Sequence, residues 1–464
     1  MSNREQEIVT GPVPMSDLQI LYLDRAWTDY EFPEYIEHKF PSADEYVTWQ
    51  VFAVQEDLSR EVLARAVHTL LLYHDGLRLR LEKRDGKWVQ YIAPPDATIP
   101  LVWIDLSDLS RDERQDTIKS TLLRETHALS LKHGPVVKYV YFKQGQAESG
   151  LLFLILNHIA GDGMSLQILG EDMLDVLTQL QRGQEPLLPP KCSSIKAWGQ
   201  RVETCLASGE WKNHLESLTA YNRSWPQPDL LTFPLDYPDG KNDEEPSAKI
   251  QIYLDRQETA ALLEQAGSVW NVRLIDLLQT ALVRTVAPWA GVSSLAICNV
   301  VPGRDQVFEK RDISRTVGCF ALGVLDVLRV QDEPCISPLA DPNLIFAQFL
   351  LNSSRKLEMI YQSDGQEKYV SFYDRYNPQI VLALREQAEI ERPGPEKLLQ
   401  LLPPETFPFM DTWVATKTLD CFVVLEPDQL RMTWRFSPRY FKRSTIETLA
   451  RTYVQELRAF LKPV

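Results

Sequence analysis

Hydrophobic and polar residues follow two different periods along the first part of the chain. Residues 46–55 are rich in β-branched and aromatic side chains and predict a strand. Behind Ser59, a predicted N-cap, apolar residues recur at helical spacing through residues 62–71 and predict a helix. Residues 77–81 alternate with period two, and Asp85-Gly86 then predicts a tight hairpin into residues 88–92.

A second pair of strands is predicted at residues 136–142 and 151–156. The later strand has no polar alternation, so we expect it to be buried on both faces. It runs directly into His158, and a helix is predicted after Gly163. That helix ends near residue 182, because the Pro-rich segment at residues 184–192 cannot continue it and predicts a linker.

The second half shows the same mixture of periods. Its predicted elements are helices at 195–206 and 211–218, two helices within 257–290, a strand at 295–301, a hairpin of 418–425 with 430–436, and a closing helix at 443–461. Because both halves mix helices and strands, the pattern predicts an α/β (α+β) fold in two lobes, with a cleft or tunnel between them. The predicted lobes are residues 1–183 and 193–464, joined by the linker.

Composition narrows the function classes. The 464 residues exceed one ordinary core, which agrees with two lobes. The net charge of −15 disfavours nucleic acid as a partner. The polar start of the chain and the shortness of its apolar runs predict no membrane partner. We expect a cytoplasmic protein, and we also expect a monomer. The six cysteines show no C-x-x-C spacing, which predicts reduced, mostly buried thiols and no metal site.

The strongest candidate for chemistry is residues 157–163, Asn-His-Ile-Ala-Gly-Asp-Gly. An imidazole titrates near neutrality, so His158 can take a proton from an attacking amine or hydroxyl and return it. Asp162 could orient the ring or pair with an arginine. The N–H of Gly163 opens a helix, where the dipole favours a developing oxyanion.

Simpler interpretations of these residues are also open. A His at a strand end is more often a packed core residue, and H-x-x-x-D-G arises by chance in about one chain in fifty. The chain has no G-x-S-x-G elbow, phosphate loop, H-E-x-x-H zinc helix or G-x-G-x-x-G motif. Arg80, Lys83, Arg84 and Lys87 cluster around the first hairpin, either as a solvated face or as a docking patch for an acidic carrier protein.

Residues 157–163 resemble the H-H-x-x-x-D-G motif of the condensation domains of nonribosomal peptide synthetases, within the chloramphenicol-acetyltransferase-like superfamily. Further segments match that family in the right order. Residues 16–23 resemble S-x-x-Q-x-x-L-W-F-L, 73–78 resemble R-H-E-x-L-R, 211–215 with 233–238 resemble Y-W-x-x-x-L then L-P-x-D-x-P, and 301–304 and 317–320 resemble the G-R and V-G-x-F-x-N segments. The match covers nearly the whole chain, and the ordered set is specific.

The resemblance implies two acetyltransferase-like lobes in a V-shaped pseudo-dimer with a central tunnel that reaches His158 from both faces. It implies that His158 acts as general base or positions the nucleophile, and that Gly163 contributes its backbone. Asp162 is implied to be structural and paired with an arginine, Arg304 being the first candidate and Arg78 the second. No bound cofactor or metal is implied, because the phosphopantetheine arm of the carrier protein, or CoA, carries the acyl group as substrate.

This sequence departs from the family pattern in several places. Asn157 stands where the motif has its first His, and an amide there can still hydrogen-bond within the loop. Asn157 also removes the first aspartate of the D-x-x-x-x-D motif of heterocyclising relatives, which makes ring formation unexpected. Leu322 replaces the Asn of V-G-x-F-x-N. Residues 346–408, where the lobe-crossing parts are expected, lack the Q-D-x-P-F-E segment.

Together these observations predict a free-standing condensation enzyme of natural-product biosynthesis. It would meet an acyl or peptidyl carrier protein in trans and join its acyl or aminoacyl group to a small-molecule amine or alcohol, forming an amide or ester. One alternative is an acyl-CoA-dependent acyltransferase of the same fold. The other is a non-catalytic module that recruits a carrier-linked partner.

Overall fold

The structure is a computed structural model that describes residues 8–15, 43–55, 58–95, 98–145, 148–210, 212, 218, 233–240, 247–304, 308, 311–331, 333–335, 341–353, 360–363, 366–369, 378–386, 398–410 and 418–461. The strands in these ranges are β1 Gly11–Val13, β2 Val47–Val54, β3 Leu79–Arg84, β4 Lys87–Ile92, β5 Leu101–Asp105, β6 Val137–Lys143, β7 Gly150–Asn157, β8 Ala248–Leu254, β9 Ser294–Val301, β10 Leu322–Arg329, β11 Ile360–Ser363, β12 Gln366–Tyr369, β13 Ile380–Glu386, β14 Leu399–Leu401, β15 Leu419–Glu426 and β16 Gln429–Phe436. The helices are α1 Arg60–Tyr73, α2 Arg111–His127, α3 Gly163–Gln181, α4 Ile195–Ser208, α5 Arg256–Glu264, α6 Leu274–Ala290, α7 Pro342–Ser353 and α8 Arg443–Ala459. The family-like segment at 16–23 and most of the predicted helix at 211–218 lie outside the described residues.

The first sheet has five strands in the order β14-β2-β7-β6-β5. Every residue of β7 is buried, as its unbroken apolar run predicts. Because side chains alternate between the faces of a strand, Leu152 and Leu154 pack in the cluster that contains α1 and α3, while Phe153 and Ile155 pack in the cluster that contains α2. β7 is thus held on both faces before it reaches the candidate loop.

Two local features that the sequence predicts are present beside this sheet. The side chain of Ser59 accepts a hydrogen bond from the backbone N–H of Val62 at 3.2 Å, so it caps α1 as expected. Asp85 and Gly86 both have positive φ, 50° and 75°, which is the geometry of the tight turn that joins β3 to β4. With β1, this hairpin forms a small sheet in the order β1-β4-β3.

The second sheet has six strands in the order β10-β9-β13-β15-β16-β8. The predicted hairpin near the end of the chain is present, with β15 paired antiparallel to β16 from Leu419 opposite Phe436 to Glu426 opposite Gln429. Apolar residues of α5, α6 and α8 join those of the sheet in a separate core, where the rings of Trp434 and Tyr453 lie 5.5 Å apart. The predicted mixed α/β fold is therefore confirmed.

The N-terminal and C-terminal halves of the chain are joined by a shared sheet and by ion pairs. β14 comes from the C-terminal half but pairs with β2 of the first sheet, so a lobe crossing does fall within residues 346–408. On α3, Glu171 and Asp172 each bind Arg315 of the second half at 2.6 Å, and Asp172 also hydrogen-bonds His74 at 2.8 Å. Helix α3 is thus tied to both halves of the chain along its length.

Two further properties concern the cysteines and the lengths of the helices. All six cysteines are free thiols, and four of them are buried, as predicted. Within the described ranges, no helix is both long and apolar enough to cross a bilayer.

Candidate active site

Asn157, the last residue of β7, holds the loop that follows it. Its side-chain amide donates to the carbonyl oxygens of Ala43 and Asp44 at 2.9 and 3.2 Å, and its Oδ1 accepts from the backbone N–H of Ile159 at 3.0 Å. Asn157 is fully buried, so these bonds replace the water that its amide would otherwise bind. Asn157, the residue that departs from the family motif, therefore anchors the loop.

His158 lies at the carboxyl end of this strand with its ring plane fixed. The imidazole stacks on the ring of Tyr46, with centroids 4.6 Å apart and planes within 8° of each other. The backbone N–H of His158 also donates to the carbonyl of Tyr46 at 2.8 Å. The residue as a whole is partly buried, and its Nδ1 is enclosed by the protein.

The protonation state of His158 follows from its surroundings. Burial lowers the pKa of His158, and the negative charge of Asp162 together with a hydrogen bond to its own backbone offsets this only in part. The imidazole is therefore neutral at pH 7. A neutral imidazole has one ring nitrogen with a free lone pair, which is the form that can accept a proton from a nucleophile.

The carboxylate of Asp162 is saturated with donors. Arg304 binds it through both terminal nitrogens, each at 2.8 Å. The backbone N–H and hydroxyl of Ser165 lie 2.9 and 3.0 Å away, and the backbone N–H groups of Phe320 and Ala321 donate at 3.0 Å. Of the two roles open to Asp162 in the sequence, orienting the ring or pairing with an arginine, the structure shows the second.

Charge and hydrogen bonds keep the carboxylate of Asp162 ionised although it is buried. Burial by itself would raise the pKa of Asp162, but the charge of Arg304 and the hydrogen bonds from it, Phe320 and Ser165 outweigh that effect and lower the pKa. Both side chains of the ion pair are buried. Asp162 also caps α3, so one carboxylate joins the start of the helix to the second half of the chain.

Gly303 allows Arg304 to reach Asp162. Its φ is 63°, a left-handed conformation that costs other residues energy. A Cβ at this position would collide with the carbonyl oxygen of Phe320. Only glycine therefore lets the backbone before Arg304 lie directly on the segment that donates to Asp162.

Arg78, the second candidate partner, does not contact Asp162. It is fully buried in the turn between α1 and β3, where its guanidinium donates to the carbonyls of Leu71 and Ala93 and binds Asp75 at 3.2 Å. The prediction that it pairs with Asp162 is wrong, because these carbonyls and the carboxylate of Asp75 accept its N–H groups. Arg78 braces the base of the lobe instead.

Gly163, predicted to contribute its backbone N–H, is the first residue of α3. A Cβ built on it would meet no atom within 4 Å, in contrast to Gly303. The space beside the start of the helix is therefore open. Its part in the chemistry remains a prediction.

Two positions near the loop were not predicted from the sequence. Ser165 is fully buried, and its hydroxyl lies 3.1 Å from both Arg304 and the N–H of Gly318. A small polar residue in the apolar first turn of a helix was the available signal. Arg385 of β13 lies close enough to Asp162 for their charges to interact.

The basic cluster around the β3–β4 hairpin is not one surface. Arg80 is buried and donates to the carbonyl of Leu79, whereas Arg84 binds Glu82 at 2.7 Å and Lys83 lies 5.1 Å from the centre of the Trp88 ring. Whether the exposed members form a solvated face or a docking patch stays a prediction. Among the described residues, no group of three or more His, Cys, Asp or Glu side chains could hold a metal ion.

Comparisons with known proteins agree on one family. The family model described as "Condensation domain" matches residues 35–330. One of the linear gramicidin synthase proteins of Brevibacillus parabrevis is 28% identical over 489 aligned residues, which cover 99% of this chain and 9% of that protein. Another protein of the same synthase is 31% identical over 319 residues, covering 68% of this chain and 4% of that protein. The chain thus spans less than a tenth of the length of these relatives.

Solved structures show the same fold. The epimerization domain from the third module of tyrocidine synthetase B aligns with a TM-score of 0.76 at 20% identity and covers 98% of both chains. The first condensation domain of the calcium-dependent antibiotic synthetase aligns with a TM-score of 0.64 at 16% identity, over 98% of this chain and 96% of that chain. These similarities show that the fold is chloramphenicol-acetyltransferase-like, as the sequence motifs imply.

Proposed function

Because this chain belongs to the condensation domain family, whose members form amide bonds in nonribosomal peptide and polyketide assembly, we propose that it transfers an acyl or aminoacyl group from a carrier-protein thioester to an amine or alcohol. The observation that carries the proposal is the neutral, stacked imidazole of His158, a partly buried residue at the end of a buried strand. The product is an amide or ester of natural-product biosynthesis. A free-standing mode of action, with the carrier in trans, remains a prediction.

The reaction needs one proton to move. As the amine or hydroxyl attacks the thioester carbonyl, a C–N or C–O bond forms and the neutral imidazole of His158 takes the proton of the nucleophile. The resulting oxyanion lies nearest the positive end of α3, where the N–H of Gly163 is the proposed donor. When the C–S bond breaks, the proton passes to the phosphopantetheine sulfur. If His158 only positions the nucleophile, the same atoms move but the rate depends less on its basicity.

Asp162 supports this chemistry without taking part in it. Its carboxylate is occupied by Arg304, Ser165 and the backbone of Phe320 and Ala321, so it holds the second half of the chain against the loop. Its charge raises the pKa of His158 part of the way back toward that of free imidazole. Asp162 is therefore a positioning residue that also adjusts the base.

The test supplies acyl groups on a carrier protein and, in parallel, on CoA, each with an amine and an alcohol nucleophile. We expect product from the carrier thioester with wild type and a large loss with His158→Ala. Undiminished product from the mutant would remove His158 from the mechanism. A preference for CoA would favour the acyltransferase alternative. Binding of the loaded carrier without turnover would favour the recruitment module, and inversion of the bound residue without transfer would indicate an epimerase.

A further inference from the structure

A cavity lies directly behind the candidate loop, at the junction of the two halves. Its volume is about 90 Å³, which is room for a short hydrocarbon group. Its walls come from β1, the β3–β4 hairpin, α4 and residues 318–320. Most of the lining is apolar and includes Val13, Ile159, Trp198, Val202, Leu206 and Phe320.

The cavity shares a wall with the reaction centre. Ile159 and Ala160, which directly follow His158, form part of its lining. Since consecutive Cα atoms are about 3.8 Å apart, this wall begins within about 4–8 Å of the His158 backbone. The lining also contains Phe320, whose N–H binds Asp162. A group in the cavity therefore contacts the residues that follow His158 and the segment that binds Asp162.

The walls are rigid. Trp198 packs against the rings of Phe308, Phe320 and Phe346, with centroids 5.3 to 6.4 Å apart. On the next residue, Gly199, an added Cβ would come within 3.1 Å of the carbonyl oxygen of Pro14, so α4 lies tightly on the chain after β1. The cavity is thus preformed rather than opened by a ligand.

Its chemistry selects an uncharged hydrocarbon group. The charged member of the described lining is Glu203, an exposed residue of α4, and its carboxylate disfavours an anionic ligand. Gln90 is held by its own bond to the carbonyl of Pro14 at 2.6 Å. Such walls bind a ligand through its apolar surface, and the size of the cavity limits the length of the ligand.

We propose that this cavity binds the aliphatic or aromatic group of one of the two reactants and so determines how long a group the enzyme accepts. The inference rests on the proposed condensation function and names the substrate class that it takes. The chemistry is the same whether the group belongs to the acyl donor or to the nucleophile. The two arms of the experiment separate these sources.

The experiment changes the volume of the cavity at Leu206. Leu206→Trp fills it and Leu206→Ala enlarges it, and Thr204→Trp is the matched control because Thr204 lies exposed on the same helix. One arm varies the alkyl length of the carrier-bound donor with a fixed amine, and the other varies the amine with a fixed donor. In the arm whose group occupies the cavity, Leu206→Trp should lower kcat/KM for long chains about tenfold or more while short chains react normally, and Leu206→Ala should shift the optimum to longer chains.

Short-chain turnover shows that each variant is folded and that the proposed function holds. Identical length profiles for wild type and both Leu206 variants, in both arms, would overturn the assignment of the cavity. If wild type gives no turnover at all, the proposed function fails separately. The cavity is then judged by calorimetric binding of alkyl pantetheine amides and alkyl amines of the same lengths, where Leu206→Trp must still weaken long-chain binding for the inference to stand.

Discussion

The two ends of the candidate loop differ sharply in how they are held. Asp162 is fully buried and surrounded by donors from both halves of the chain, including two backbone N–H groups and the fork of Arg304. His158, a few residues earlier, is partly exposed and held by one stacked ring and its backbone. A side chain whose hydrogen-bonding capacity is used up can fix a structure but not exchange protons with a substrate. The difference supports an anchoring role for Asp162 and agrees with the proposal that His158 carries the chemistry.

The largest expected effect is on stability at the Asp162 end. Asp162→Asn leaves the buried guanidinium of Arg304 without its charge partner, which typically costs about 3–5 kcal/mol. We expect the free energy of unfolding, measured with denaturant, to fall by about this amount and activity to fall with it. Asp105→Asn is the control, because Asp105 is exposed and bonds only locally with Ser107. A similar loss in both variants would contradict an anchoring role specific to Asp162.

The second effect separates rate from stability at the His158 end. His158→Ala should reduce kcat by about 10²–10⁴ fold, the usual contribution of a general base. Since the residue is only partly buried, the free energy of unfolding should change by about 1 kcal/mol or less. His133→Ala, at an exposed histidine, should change neither quantity. A loss of stability as large as that of Asp162→Asn would contradict the different roles proposed for His158 and Asp162.

The reaction rate and the stability should depend on pH in different ranges. The pKa of His158 is lowered, so the rate should be level near pH 7 and fall as pH drops through a pKa below that of free imidazole. The pKa of Asp162 is lowered as well, so its stabilising contribution is present above the ordinary aspartate pKa and is lost as pH falls through its lower folded value. Activity should therefore decline at a higher pH than stability does. Rate profiles and denaturant titrations over the same pH range measure both, and a common midpoint would contradict the assignment.

Much of this arrangement could be predicted from local sequence. The buried run of β7, the Ser59 cap and the Asp85-Gly86 turn each carry their signal within a few residues, and the structure contains all three. The pairing of Asp162 with Arg304 came from the family resemblance, since no local pattern links positions so far apart in the chain.

What the sequence did not reveal has physical reasons. Helix α2 is mostly polar and shows no apolar stripe, although the capping box of Ser110 with Glu113 was a usable signal. Strand β14 has only three residues, too few for a period. The N–H groups of Phe320 and Ala321 that bind Asp162 belong to the backbone, which every residue shares, so no side-chain type marks them.

The smallest expected effect concerns the start of α3. Gly163→Ala should leave stability unchanged or raise it by up to about 1 kcal/mol, because alanine favours helix and its methyl group meets no atom within 4 Å. If that open space receives the substrate, kcat/KM should fall several-fold despite the intact fold. Thermal unfolding and steady-state kinetics on one preparation test this. Unchanged kinetics would show that the substrate does not occupy this open space.

The division of roles within the loop is tested most directly by measuring two quantities on His158→Ala and Asp162→Asn side by side. These are the free energy of unfolding and the single-turnover rate of product formation from a loaded carrier protein and an amine. We expect His158→Ala to keep nearly the wild-type stability while losing at least about a hundredfold in rate, and Asp162→Asn to lose stability first. A His158→Ala variant that forms product at the wild-type rate would contradict this expectation.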